Sequence, residues 1–76
     1  MKKTNTYKTE NVELHYYQTK YAKYRIRISK NKTRFEFTLY RNLGSYDRFE
    51  LMALGEGYKT SNQAKREALK YLKNHC

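Results

Sequence analysis

Arginine and tyrosine at alternating positions of an extended chain place guanidinium and phenol groups on one side of a strand. Such groups can hold phosphates or read the edges of bases. The pattern occurs in two consecutive stretches. YAKYRIRIS (21–29) sets Lys23, Arg25 and Arg27 against Ala22, Tyr24, Ile26 and Ile28. RFEFTLYR (34–41) sets Arg34, Glu36, Thr38 and Tyr40 against Phe35, Phe37 and Leu39. Both have the period of two that marks a half-buried strand. Arg48, opening the next apolar run, adds a further cation. Guanidinium groups contact phosphates or pair bidentately with guanine, and tyrosine stacks on a base or hydrogen-bonds a phosphate. The competing reading is a solvated sheet face on which these arginines pair with Glu36 or Glu50 across strands.

A second group lies in GEGYKTSNQAKREALKYL (55–72). Thr60, Ser61 and Asn62 can each cap a helix, and Thr60 with Gln63 has the reciprocal capping-box spacing. Ala64, Ala68, Tyr71 and Leu72 then share one helix face, with Leu69 at its edge and Lys65 lying along it, while Arg66, Lys70 and Lys73 lie opposite. The free N–H groups around Ser61–Gln63, flanked by Lys59 and Lys65, form a generic anion site. The candidate nucleic-acid-binding residues are therefore Arg25, Arg27, Arg34, Tyr40, Arg48, Lys59 and Lys65.

Catalytic chemistry finds little support. His15 and His75 lie at opposite ends of the chain, Cys76 follows His75, and no two carboxylates form an evident acid–base couple. Metal-ligand spacing is absent. The expectation is a protein with no enzymatic activity, cofactor or metal.

The elements that must position these residues follow from the patterning. Residues 1–10, opening MKKTNTYK, are expected as a flexible basic arm preceding a single domain over 11–76. NVELHYYQ (11–18) alternates Val12, Leu14 and Tyr16 against Glu13, His15 and Tyr17. Lys30–Thr33 forms a polar turn with Asn31 suited to a left-handed position, and Asn42–Asp47 forms another with Gly44. In RFELMAL (48–54), strict alternation puts Phe49, Leu51 and Ala53 on one face. Tyr24 and Tyr71 are expected in the core, and Tyr17, Tyr21, Tyr40 and Tyr46 at the surface. The expected fold class is α+β, an antiparallel sheet of three to four strands with one C-terminal helix packed on one face.

Charge narrows the partner. Seventeen Lys and Arg against seven Asp and Glu give a net charge of +10. That field favours polyanions, with nucleic acid first, then an acidic protein or an anionic membrane. The lone cysteine and the lack of any apolar run long enough to cross a bilayer point to a cytoplasmic protein with no membrane association. Oligomeric state stays open.

Gly57-Tyr58-Lys59-Thr60-Ser61-Asn62-Gln63-Ala64 resembles the end of the small N-terminal DNA-binding domain of phage and transposon integrases. That resemblance implies a three-stranded antiparallel sheet followed by a helix, with the exposed sheet face set in the major groove. The same stretch is similar to the last turn and helix of double-stranded RNA-binding domains, through Gly55, Gly57, Ser61, Ala64, Lys65 and Ala68. Ser61 and Asn62 stand where that family has a lysine pair, and no N-terminal helix is evident. The sequence thus points to a non-catalytic nucleic-acid-binding protein, duplex DNA before RNA, of the kind that phages and mobile elements use as accessories. The alternative is an inhibitor whose basic face engages an acidic host or partner protein, such as a nuclease complex.

Overall fold

The computed structural model describes residues 2–42 and 48–75, the last by its backbone alone. Five strands precede one helix: β1 (Lys2–Lys8), β2 (Val12–Gln18), β3 (Lys23–Asn31), β4 (Arg34–Asn42), β5 (Glu50–Tyr58) and α1 (Ser61–His75). Each strand pairs antiparallel with the next, in the order β1-β2-β3-β4-β5. The fold is α+β, as the patterning implies, but the expected count of three to four strands is corrected to five. The added strand comes from the basic segment expected as an arm. Lys2–Lys8 has no buried position, so no apolar period marks it. Its order comes instead from the backbone hydrogen bonds that β2 offers along its length. The turn at 43–47, including Gly44 and Tyr46, lies outside the described residues, as do Met1 and Cys76.

Tight turns fix the strand pairing. Thr9 Oγ1 accepts the Val12 N–H at 3.2 Å, and Thr19 Oγ1 accepts the N–H groups of Tyr21 and Ala22 at 3.2 Å. Such hydroxyl-capped turns supply partners that the loop backbone would otherwise lack. Between β3 and β4, Asn31 pairs with Arg34, which leaves a two-residue turn. Lys32, rather than Asn31, takes the left-handed conformation there, at φ 59°. A two-residue hairpin needs positive φ within the turn itself, and Asn31 is already part of the ladder.

The helix packs against β3, β4 and β5. Ile26, Leu39, Ala64, Ala68 and Leu72 have no exposed surface, and Ile28, Phe37 and Tyr24 are buried around them. Alanine at Ala64 and Ala68 lets the helix backbone approach the sheet closely, as its spacing suggested. Tyr71 and Leu69 pack at the margin of this core. Tyr17, expected at the surface, is buried, and burial raises its phenol above the ordinary value.

Two irregularities in β5 decide which side chains face outward. Leu39 pairs with Ala53 but Tyr40 pairs with Leu51, so Met52 is an extra residue and the alternation changes phase. Leu51 therefore leaves the face of Ala53, which corrects the expectation that both share one side. Further on, Phe37 pairs with Gly55 and Phe35 with Tyr58, and Gly57 in the intervening bulge has φ 85°. The glycines thus belong to the strand rather than to a turn after it. A Cβ on Gly55 would lie 2.5 Å from Phe37 Cε2 and 2.7 Å from the Tyr58 hydroxyl, so Phe37 and Tyr58 occupy that space.

Candidate nucleic-acid interface

The side of the sheet away from the helix is built from two cross-strand rows. One row runs Asn5, Tyr16, Arg25, Tyr40, Leu51; the other runs Tyr7, Leu14, Arg27, Thr38, Leu54. Adjacent strands place these side chains at pair distances of about 4.5–5.5 Å, so each row is a continuous strip. Tyr7 and Tyr16 meet edge to face with ring centroids 5.7 Å apart. Tyr7, Leu51 and Leu54 are each more than half exposed.

Arg25 is the best-held group on this face. Its guanidinium carbon lies 4.6 Å from the centroid of Tyr40 and 4.4 Å from that of Phe49. Attraction to two ring faces at once restricts where the guanidinium can move. The Arg25 Nε is buried without a hydrogen bond among the described residues, so the clamp restricts the inner end of the group. Arg27, one row away, is exposed. Arg34 lies on the same face at the hairpin end, beyond Ser29 and Glu36.

Glu36 does not neutralise these arginines. Its Oε1 accepts the Ser29 hydroxyl at 3.0 Å. Among the described residues, Glu13 forms an ion pair with Lys8 and a hydrogen bond with His15, on the other side of the sheet. The cross-strand Arg–Glu pairs that would make this a self-satisfied surface are therefore not formed among the described residues.

Of the seven candidates, the structure brings Arg25, Arg27, Arg34 and Tyr40 onto one face. Arg48 is exposed ahead of β5. Lys59 and Lys65 are not brought to that face. The Lys59 N–H donates to Gln63 Oε1 at 3.0 Å, and Thr60 Oγ1 accepts the Gln63 N–H at 3.1 Å. Thr60 is thus the N-cap, with Gln63 reaching back one residue further than in the usual box. Lys65 lies half-buried on the helix, close enough to His15 to affect its charge.

The start of the helix already holds an acid. Burial raises the Glu13 carboxyl, but hydrogen bonds from His15 and Ser61 and the charges of Lys8 and His15 outweigh that and leave it below its ordinary value. His15 is buried, with Nε2 3.1 Å from Glu13 Oε1 and Nδ1 unpartnered among the described residues. Burial lowers the imidazole, and Lys3 and Lys65 push the same way against Glu13. The neutral ring therefore donates from Nε2 to the carboxylate. No group of three or more His, Cys, Asp or Glu among the described residues could hold a metal ion.

Strict alternation could not reveal Phe49 or Leu51 as part of the face, because the Met52 bulge controls their side. Tyr16 and Leu14 were missed for another reason. Alternation puts both on one side of β2 without saying which side that is, and pairing shows their partners to be Arg25 and Arg27.

No helix among the described residues is long and apolar enough to cross a membrane. No protein-family model matches the chain, and neither a curated protein nor a solved structure does.

Proposed function

We propose that this is a non-catalytic DNA-binding protein whose open sheet face reads duplex DNA in the major groove. The observation that carries the reading is the Arg25 clamp, a guanidinium held between Tyr40 and Phe49 beside the exposed Arg27. A fixed guanidinium suits bidentate pairing with guanine, the commonest specific base contact. The apolar side chains around it suit thymine methyl groups, which RNA lacks. A duplex RNA major groove is also too deep and narrow for side chains to read, which favours DNA. The net charge of +10 supplies the attraction. The integrase-like stretch accords with this use of a sheet face, and a cytoplasmic role as a phage or mobile-element accessory accords with the reading.

The test is duplex binding measured against salt. If about five phosphates are neutralised, the log–log slope should be near −4 to −5. Arg27→Ala should weaken binding with the fold intact, and Arg25→Lys should do so by removing the planar group. Exchanging thymine for uracil in the duplex should weaken binding too. Undetectable duplex binding at about 150 mM salt overturns the reading. Retention of one acidic protein under those conditions would then support the second reading, an inhibitor of an acidic host or partner protein. That reading draws on the exposure of Leu51 (56%) and Leu54 (67%) beside the arginines, a mixture common at the centre of protein interfaces.

A further inference from the structure

The helix covers β3, β4 and β5 and leaves β1 and β2 as a shelf beside it. Along the helix runs an open groove of about 570 Å³, lined by Lys65, Arg66, Lys70 and Lys73 with Asn62 and Asn74 at its ends. Every residue lining it belongs to the helix, and Lys3, paired with the buried Tyr17, turns to the same side of the sheet from the shelf. Glu13 is the acid on this side of β2, and it is occupied by Lys8, His15 and Ser61. None of Lys65, Arg66, Lys70 or Lys73 has an ion-pair partner among the described residues.

This surface differs in kind from the open sheet face. It holds cations and amides with one half-buried leucine, Leu69, and lacks the exposed aromatic and leucine side chains of the other side. A protein partner would find no apolar centre to bury here, whereas a hydrated phosphate backbone requires none. The two surfaces lie on opposite sides of a molecule whose shortest extent is 19 Å. Duplexes held on opposite sides are kept apart by the body of the protein between them.

We infer that the helix side is a second, sequence-independent site for a nucleic-acid phosphate backbone, and that one molecule bridges two duplex segments. The sheet face reads one segment and the basic face of the helix holds the other. The inference rests on the sheet-face reading. It adds a second ligand on a surface which that reading does not use.

The experiment immobilises one duplex, saturates it with protein, and measures capture of a second, fluorescently labelled duplex across a salt series, with sedimentation to confirm that the free protein does not self-associate. Wild type should capture the second duplex. The variant carrying Arg66→Gln, Lys70→Gln and Lys73→Gln should bind the first duplex but lose capture, its capture slope against log salt falling by up to about 3. These three side chains are exposed, and circular dichroism will show the helix intact. Wild type that binds the first duplex but captures no second overturns the bridge and leaves the sheet-face reading standing. Equal capture by the triple variant also overturns it. Failure to bind the first duplex overturns both. Competition by poly-glutamate as effective as by duplex, at equal charge, overturns the assignment of nucleic acid to the helix face.

Discussion

The two faces of the central strands share a backbone and differ in everything else. On β3 and β4, Tyr24, Ile26, Ile28, Phe37 and Leu39 turn toward the helix and are at most 5% exposed. Alternating with them, Arg25, Arg27, Thr38 and Tyr40 turn away and keep contact with solvent. The covered face is closed by shape: Gly55 leaves room for Phe37, whose ring stacks on Tyr58 at 5.9 Å, and the helix alanines let Leu72 reach the sheet. The open face is ordered by charge on aromatic rings, without a helix above it. A side chain on the covered face is therefore constrained from all directions, whereas one on the open face has free space to meet a ligand. Stability should reside in the first set and recognition in the second.

The sharpest way to break this division is a pair of neighbours. Phe37→Ala should destabilise by roughly 3–5 kcal/mol in a denaturant melt, because it empties the centre of a small core. Thr38→Ala, one residue on but facing outward, should cost under about 1 kcal/mol. Similar losses would mean that the open face also carries the fold.

Gly55→Ala tests the closeness of the covered face directly. Its new methyl meets a ring carbon and a phenol oxygen, so the cost should be about 1–3 kcal/mol, in the range of overpacked cores. A compensating Phe37→Leu should recover part of it, and a neutral Gly55→Ala would show that the rings move aside freely.

Thr60→Ala separates the helix start from the sheet. Losing the bond to the Gln63 N–H should cost about 1 kcal/mol, with Ser61→Ala reading out the contact to Glu13 instead. An unchanged melt for Thr60→Ala would move the cap from that position.

The smallest effect concerns the buried His15, on the helix side at the margin of the covered face. Its folded pKa lies below the ordinary 6.5, so on acidification the unfolded chain takes up the proton first. Stability is then full above about pH 6.5 and declines as the pH falls toward the folded value. Glu13, lowered from 4.5, adds a further loss at more acid pH as it is protonated. His15→Gln should flatten the first decline and, because His15 helps to hold the Glu13 carboxyl down, lessen the second as well. A wild-type stability curve that is flat from neutral pH into the histidine range would remove this assignment.

Much of the fold was legible because two local rules operate without knowledge of the rest of the chain. Alternation in YRIRIS and RFEFTL assigned each side chain of β3 and β4 to its side. Thr60 and Gln63 marked the helix start within the residues that make it. The sequence by itself thus determined the class, the central strands, the helix with its buried face and the basic character of the surface. Tertiary pairing decided the rest. Lys2–Lys8 becomes a strand through the backbone groups of β2, which its own side chains do not announce. The Met52 bulge sends Leu51 to the opposite side from Ala53. Phe49 joins Tyr40 around Arg25 though it lies 24 positions further along the chain than that arginine. Strand periodicity is local because each residue's direction follows from the one before it. Bulges, edge pairing and stacking across strands depend on which backbone lies alongside, and only the folded sheet supplies that.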